Sequence, residues 1–127
     1  MKGKRIVLIV TDGSEETVKM AAGIAVALKG NKVSIKNASE FKGNDILPAD
    51  AFFVGCEKPK PESFTYLADL LKHINLAGRP CGIFSPGSDK AVKYLSVLVR
   101  DCEAALYSEP LTGSVKNAGS WAQKVVS

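Results

Sequence analysis

Four short apolar runs, each closed by turn-forming residues, constrain this chain more than any other feature. They span Arg5 to Val10, Ala51 to Gly55, Pro80 to Phe84 and Ala104 to Tyr107. Runs of this length without polar alternation read as strands covered on both faces, the kind that a parallel sheet uses. A weaker fifth run, Lys32 to Lys36, alternates Val33 and Ile35 with polar neighbours, the pattern of an edge strand.

Helical spacing fills the stretches between. Phe64, Leu67, Leu71 and Ile74 fall on one helical face, as do Ala118, Trp121, Ala122 and Val125. Pro61 suits the first position of the helix that carries Phe64. Glu16 to Lys29 is apolar nearly all round and stops at Gly30, a C-cap signal. Ala91 to Arg100 follows Ser88 and Asp89, both N-cap candidates. The link from Asn37 to Asp50 is short and polar and reads as a connection rather than a helix.

This alternation of strand and helix implies a doubly wound α/β fold, a three-layer α/β/α sandwich around a five-stranded parallel sheet. At 127 residues the chain is about one domain long, and residues 1–127 are read as a single domain. In such folds a ligand sits beyond the carboxyl ends of the strands, where strand order reverses. That rule selects three loops, residues 11–17, 56–62 and 85–90.

Composition narrows the function classes. Cys56, Cys81 and Cys102 stand singly and are odd in number, which argues against a disulfide framework or a zinc site and suits free thiols in a reducing compartment. The basic opening followed by Ile6 to Val10 is too short for a signal segment, and no stretch approaches the ~20 apolar residues of a membrane span. A cytoplasmic protein without membrane contact is therefore expected. The net charge of +4 is spread along the chain, with no basic run interleaved with aromatics, so nucleic acid is not an expected partner.

In order and spacing, several pieces of the chain resemble the flavodoxin family. They are Val7 to Val10 leading into Thr17 to Ala21, then Asp50 to Cys56, Leu76 to Pro80, and Trp121 with Ala122. The resemblance runs over nearly the whole chain and implies a flavodoxin-like fold, flavin mononucleotide (FMN) as cofactor, one-electron transfer as activity and a redox protein as partner.

The family holds the FMN phosphate in a loop of pattern Ser/Thr-x-Thr-Gly-x-Thr, where backbone N–H groups and a helix N-terminus face the anion. The matching stretch is Asp12, Gly13, Ser14, Glu15, Glu16 and Thr17. Ser14 and Thr17 would supply hydroxyls, but Glu15 stands where the family has glycine. Asp12 and Glu16 add carboxylates where a dianion should sit, and like charges held close oppose binding. As first-turn residues, such acids also complement the helix dipole, by about 0.3–1 kcal/mol each.

The family's flavin ring lies between two further loops, at least one bearing an aromatic side chain. The matching residues here are Cys56, Glu57 and Lys58 on one side and Ser85, Pro86, Gly87 and Ser88 on the other, with no aromatic on either. Tyr94 lies a turn beyond the expected stacking position. Stacking of this kind is worth about 1–3 kcal/mol, so the flavin site reads as degenerate, with Glu15 and the bare 56–62 loop as its main obstacles. The alternative is a cofactor-free module of the same fold that binds a regulatory or other protein partner.

Other chemistries find less support. The loops also resemble receiver domains, but Cys56 or Glu57 occupies the place of the phosphoryl-accepting Asp, and Glu109-Pro110 replaces the expected lysine before proline. Cys56 lacks a neighbouring base, and His73, the chain's one histidine, sits near a predicted helix end. No catalytic set and no metal site can be assembled, so a carrier or binding module is expected rather than an enzyme.

Overall fold

The computed structural model describes residues 5–87, 89–113 and 117–126. Strands β1 (Ile6–Thr11), β3 (Ala51–Gly55) and β4 (Pro80–Ser85) form the sheet centre and are buried along almost their whole length. Strand β2 (Lys32–Asn37) pairs with β1 alone, the edge position that its alternation predicts, but it is largely exposed, with Val33 half-buried and Ile35 40% exposed. The spatial order is β2-β1-β3-β4-β5, all parallel, with β5 (Ala105–Leu106) on the far edge.

The fifth strand departs from the sequence-based expectation. It is only two residues long, and a sixth strand, β6 (Leu111–Thr112), follows on the same side of β4. Pro80 and Cys81 pair with β5, whereas Phe84 and Ser85 pair with β6. One edge position is thus filled by two short pieces. Pro110 explains the break, because proline has no N–H to give to a ladder.

Helices cover both faces. Helices α1 (Glu15–Ala27) and α5 (Ala118–Val126) pack on one side, burying Met20, Ala21, Ile24, Trp121 and Ala122 against Val7, Ile9, Phe53 and Phe84. Helices α3 (Thr65–His73) and α4 (Asp89–Arg100) cover the other, burying Leu67, Leu71, Leu95 and Val99 against Leu8, Val10, Phe52, Val54 and Ile83. Full burial of each such side chain is worth roughly 1.5–3 kcal/mol, so the two apolar layers are the main stabilising term. The expected three-layer sandwich is the observed one.

Smaller expectations shift by a residue or two. Pro61 precedes a short 3-10 turn (Glu62–Phe64) that leads into α3, and Ile74 falls just past the helix end. Helix α1 is capped at Leu28 rather than Gly30, although Gly30, at φ +105°, still turns the chain into β2. The apolar far side of α1 is not buried, since Val26 is 74% exposed.

The 37–50 link contains a single helical turn, α2 (Gly43–Ile46). Its carbonyl end is closed from outside by Arg79, whose Nη1 donates to Ile46 O, Leu47 O and Ala49 O at 3.3, 2.6 and 3.1 Å. A cation on free helix carbonyls complements both their hydrogen-bonding need and the helix dipole. So short a helix could not be recognised from spacing, because its closing residue lies about thirty positions downstream.

Candidate functional site

Strand order reverses between β1 and β3, so the loops following those strands lie side by side at the carboxyl edge. Asp12 is the residue that joins them. Its Oδ1 accepts hydrogen bonds from the Ser14 N–H at 3.0 Å and the Ser14 hydroxyl at 2.8 Å. Its Oδ2 accepts from the Glu57 N–H at 2.9 Å, across to the β3 loop. The Ser63 hydroxyl donates to the Asp12 carbonyl at 3.3 Å.

The two hydroxyls assigned to a ligand by resemblance also turn toward this carboxylate. Ser14 has one hydroxyl proton and gives it to Asp12, so the 2.6 Å contact between Ser14 Oγ and Thr17 Oγ1 is donated by Thr17. Thr17 is fully buried. The result is a relay from Thr17 to Ser14 to Asp12, and Ser14, though placed as N-cap of α1, makes no side-chain cap to the helix amides.

Gly13 is required by geometry. It adopts φ +84°, and its N–H donates to Thr11 Oγ1 at 3.2 Å. An added Cβ would collide with the Asn37 amide, so the loop leans on the end of β2. Glu15 and Glu16 face away from the loop, each 3.5 Å from Lys19 Nζ on the open surface of α1. That pairing raises the Lys19 pKa, chiefly through Glu16. Of the three acids that the sequence places here, Asp12 alone is turned into the loop.

The third loop closes on the second. Ser85 is buried and its Oγ accepts the Gly87 N–H at 3.0 Å. Gly87 lies directly against the Glu57 backbone, and a Cβ there would sit 2.3 Å from the Glu57 carbonyl oxygen. Ser88 lies outside the described residues, and Pro86 follows β4 in the bend at its end. The loops that the resemblance places on either side of a flavin ring therefore touch each other.

What remains open is a recess of about 370 Å³ lined by Asp12, Ser14, Glu57, Lys58, Pro59, Lys60 and Pro61. Lys60, at φ +52°, and Pro61 also border an apolar cavity of about 500 Å³ between α3 and α4. Tyr94 belongs to that second cavity, packing on Phe64 with ring centroids 6.3 Å apart, and does not line the recess. Lys60 and Pro61 belong to the 56–62 loop that the carboxyl-edge rule selects, and Ser63 lies just beyond it. For Ser63 no sequence signal exists, because its contact with Asp12 spans 51 positions.

Cys56 is fully buried at the end of β3 on the α3/α4 side. Burial, and secondarily the Asp12 charge, pushes its thiol up to about 12, so the nucleophilic thiolate is not available at neutral pH. The fully buried Cys81 and Cys102 are likewise raised, mainly by burial. Among the described residues no cluster of His, Cys, Asp and Glu is arranged to hold a metal ion.

In the unfolded chain these thiols ionise near 9, whereas in the folded protein they hold their protons to higher pH, for Cys56 to about 12. Between those values the unfolded state binds fewer protons, so stability falls as pH rises. Urea denaturation is expected to give a midpoint that declines from pH 9 upward, less steeply in a Cys56→Ala variant compared with its own neutral-pH value. Equal slopes for the two proteins would contradict the assignment.

No family model and no curated relative matches the chain. Solved structures do. Flavodoxin 2 from Bacillus cereus, in its oxidised form, is 20% identical, with 92% of this chain and 94% of that one covered and a TM-score of 0.79. A flavodoxin of Streptococcus pneumonia TIGR4 is 19% identical over 94% and 96% of the two chains, also at 0.79. A Fusobacterium nucleatum flavodoxin mutant bound to flavin mononucleotide is 14% identical over 98% of both, at 0.78. The chain thus has the flavodoxin-like fold, over 92% to 98% of its length in these matches. No helix among the described residues is long and apolar enough to cross a membrane.

Proposed function

We propose that this chain is a flavin-free member of the flavodoxin fold, a module that binds a protein partner rather than a carrier of electrons. The residues present do not fit FMN. The observation that carries this is the contact at the carboxyl edge, where Gly87 rests on the Glu57 carbonyl and joins the two loops that the resemblance sets on either side of a flavin ring. Chemistry at the phosphate position agrees, because the amides of Ser14 and Glu57 and the Ser14 hydroxyl already serve Asp12.

Neither flank supplies an aromatic surface, and the nearest aromatic on α4, Tyr94, is committed to Phe64. Opening the slot would mean separating two loops in van der Waals contact and then binding a ring with no stacking partner. Stacking of that kind contributes about 1–3 kcal/mol, so its absence leaves the opening cost without compensation. What the fold retains is a stable platform whose carboxyl-edge loop carries Lys58, Pro59, Lys60 and Pro61 at the surface. Two prolines limit the freedom of that loop, and a preordered loop loses less entropy on binding.

The experiment is direct. Protein expressed with added riboflavin is expected to purify without flavin absorbance and to show no thermal shift with excess FMN, because a ligand stabilises only the state that binds it. A yellow preparation, or a saturable rise in Tm with FMN, would overturn the proposal.

A further inference from the structure

Strand β2 ends the sheet, with β1 as its one neighbour among the described strands. The N–H groups of Lys32 and Ala38, at either end of it, donate to the Arg5 and Thr11 carbonyls, so its even-numbered residues bond to β1. By that alternation the N–H and C=O groups of Val33 and Ile35 point away from the sheet, with no described strand beyond them.

The side chains alternate as well. Val33 packs against the α1/α5 layer, and Ile35, two residues on, projects to the same side and is 40% exposed. Beside Val33 lies an open hollow of about 560 Å³ lined also by Ala25, Lys29 and the 74% exposed Val26. Lys32, Ser34 and Lys36 project to the opposite face and are exposed. Charge then decides what kind of strand fits. Between Glu16 and Glu40 the chain has no acid, yet it carries Lys19, Lys29, Lys32 and Lys36. The last three make no ion pair with another described residue.

We propose that the free edge of β2 takes up an extended acidic segment of a partner protein as an added strand, its carboxylates opposite Lys32 and Lys36 and its apolar side chains along Val33, Ile35 and Val26. A second copy of the chain fits less well. Two β2 strands paired with Val33 opposite Ile35 would set Lys32 against Lys36 at both ends, and lysine on an edge strand opposes pairing with its like. The edge lies outside the loops of residues 11–17, 56–62 and 85–90, so the proposal is independent of whether those loops accept FMN.

The probe is a capped fluorescent peptide of the length of β2 that alternates glutamate with valine, and its control has lysine in place of glutamate. Anisotropy is expected to show saturable binding of the glutamate peptide to the wild type, with the lysine peptide at least about tenfold weaker. Lys32→Glu combined with Lys36→Glu should invert that preference. Ile35→Pro removes an outward N–H, a loss that edge strands tolerate, so it should keep most of the Tm while weakening the glutamate peptide about tenfold. On binding, amide exchange should slow at Val33 and Ile35 and change little at Ser34 and Lys36, which already bond to β1.

A wild type that does not bind the glutamate peptide would overturn the proposal. So would equal binding by wild type and Ile35→Pro, which would report a basic surface without strand addition. A wild-type dimer that Ile35→Pro dissociates would assign the edge to a second copy and overturn it as well. Should Ile35→Pro fail to fold, the inverted charge preference and the exchange pattern decide, and the absence of either counts against the added strand.

Discussion

Phe53→Ala is expected to remove about 3–5 kcal/mol of stability, the cost of deleting a large buried ring and leaving a cavity behind. Phe53 is fully buried on the central strand β3, and its ring lies 5.4 Å from that of Trp121 in a tilted contact. The ring also rests on Gly82 of β4, where a Cβ would come within 2.9 Å of it. Glycine has no side chain with which to fill the void, and the Trp121 Nε1 is fixed by the Glu109 carbonyl at 2.5 Å, so neither neighbour can readily collapse inward. Against a typical total of about 5–15 kcal/mol, this loss leaves a marginal protein, with a Tm lower by on the order of 10–20 °C. Chemical denaturation monitored by Trp121 fluorescence measures it. A loss below about 1 kcal/mol would mean that the α1/α5 core is not packed as described.

Core positions such as Phe53 were legible in the sequence because apolar runs report burial without reference to distant residues. Strands β1, β3 and β4 were visible in this way, and the carboxyl-edge rule then pointed to three loops that the fold brings together. The failures share a cause. Leu111 and Thr112 form a strand only because β4 offers free ladder groups beside Pro110, and Gly43 to Ile46 form a turn of helix that Arg79 closes from another element. Each depends on a partner far along the chain.

At the site the same limit appears in the acids. Asp12, Glu15 and Glu16 are equivalent as carboxylates in a sequence, and only the resemblance distinguishes Glu15, at the position where that family has glycine. Their directions separate them. Lys19 lies one turn along α1, within reach of Glu15 and Glu16, whereas Asp12 precedes the helix and folds back on the Ser14 amide. Contact between Gly87 and Glu57 was equally hidden, since it joins loops thirty residues apart and needs only a glycine. The departures from the loop pattern of the resemblance were readable; the contacts that join these loops to one another were not.

Gly55→Val is expected to cost about 3 kcal/mol or more, and it links the core to the carboxyl edge. Gly55 is the last residue of β3, paired in register with Phe84 of β4. An added Cβ would meet the Phe84 ring at once, with its Cε2 only 2.2 Å away. Phe84 is itself fully buried in the α1/α5 layer, so its ring can yield only by displacing neighbours or by pushing β3 and β4 apart. Separation there would move Cys56, whose N–H donates to the Phe84 carbonyl at 3.3 Å, and Glu57 immediately after it. The expected signature is therefore double: a large fall in Tm, and faster amide exchange at Glu57 as its bond to Asp12 weakens. Shrinking the ring tests the steric cause, since Gly55→Val combined with Phe84→Leu should recover part of the loss, with a coupling of about 1–3 kcal/mol for residues in contact. Strict additivity of the two substitutions would show that Gly55 is needed for some reason other than the Phe84 ring.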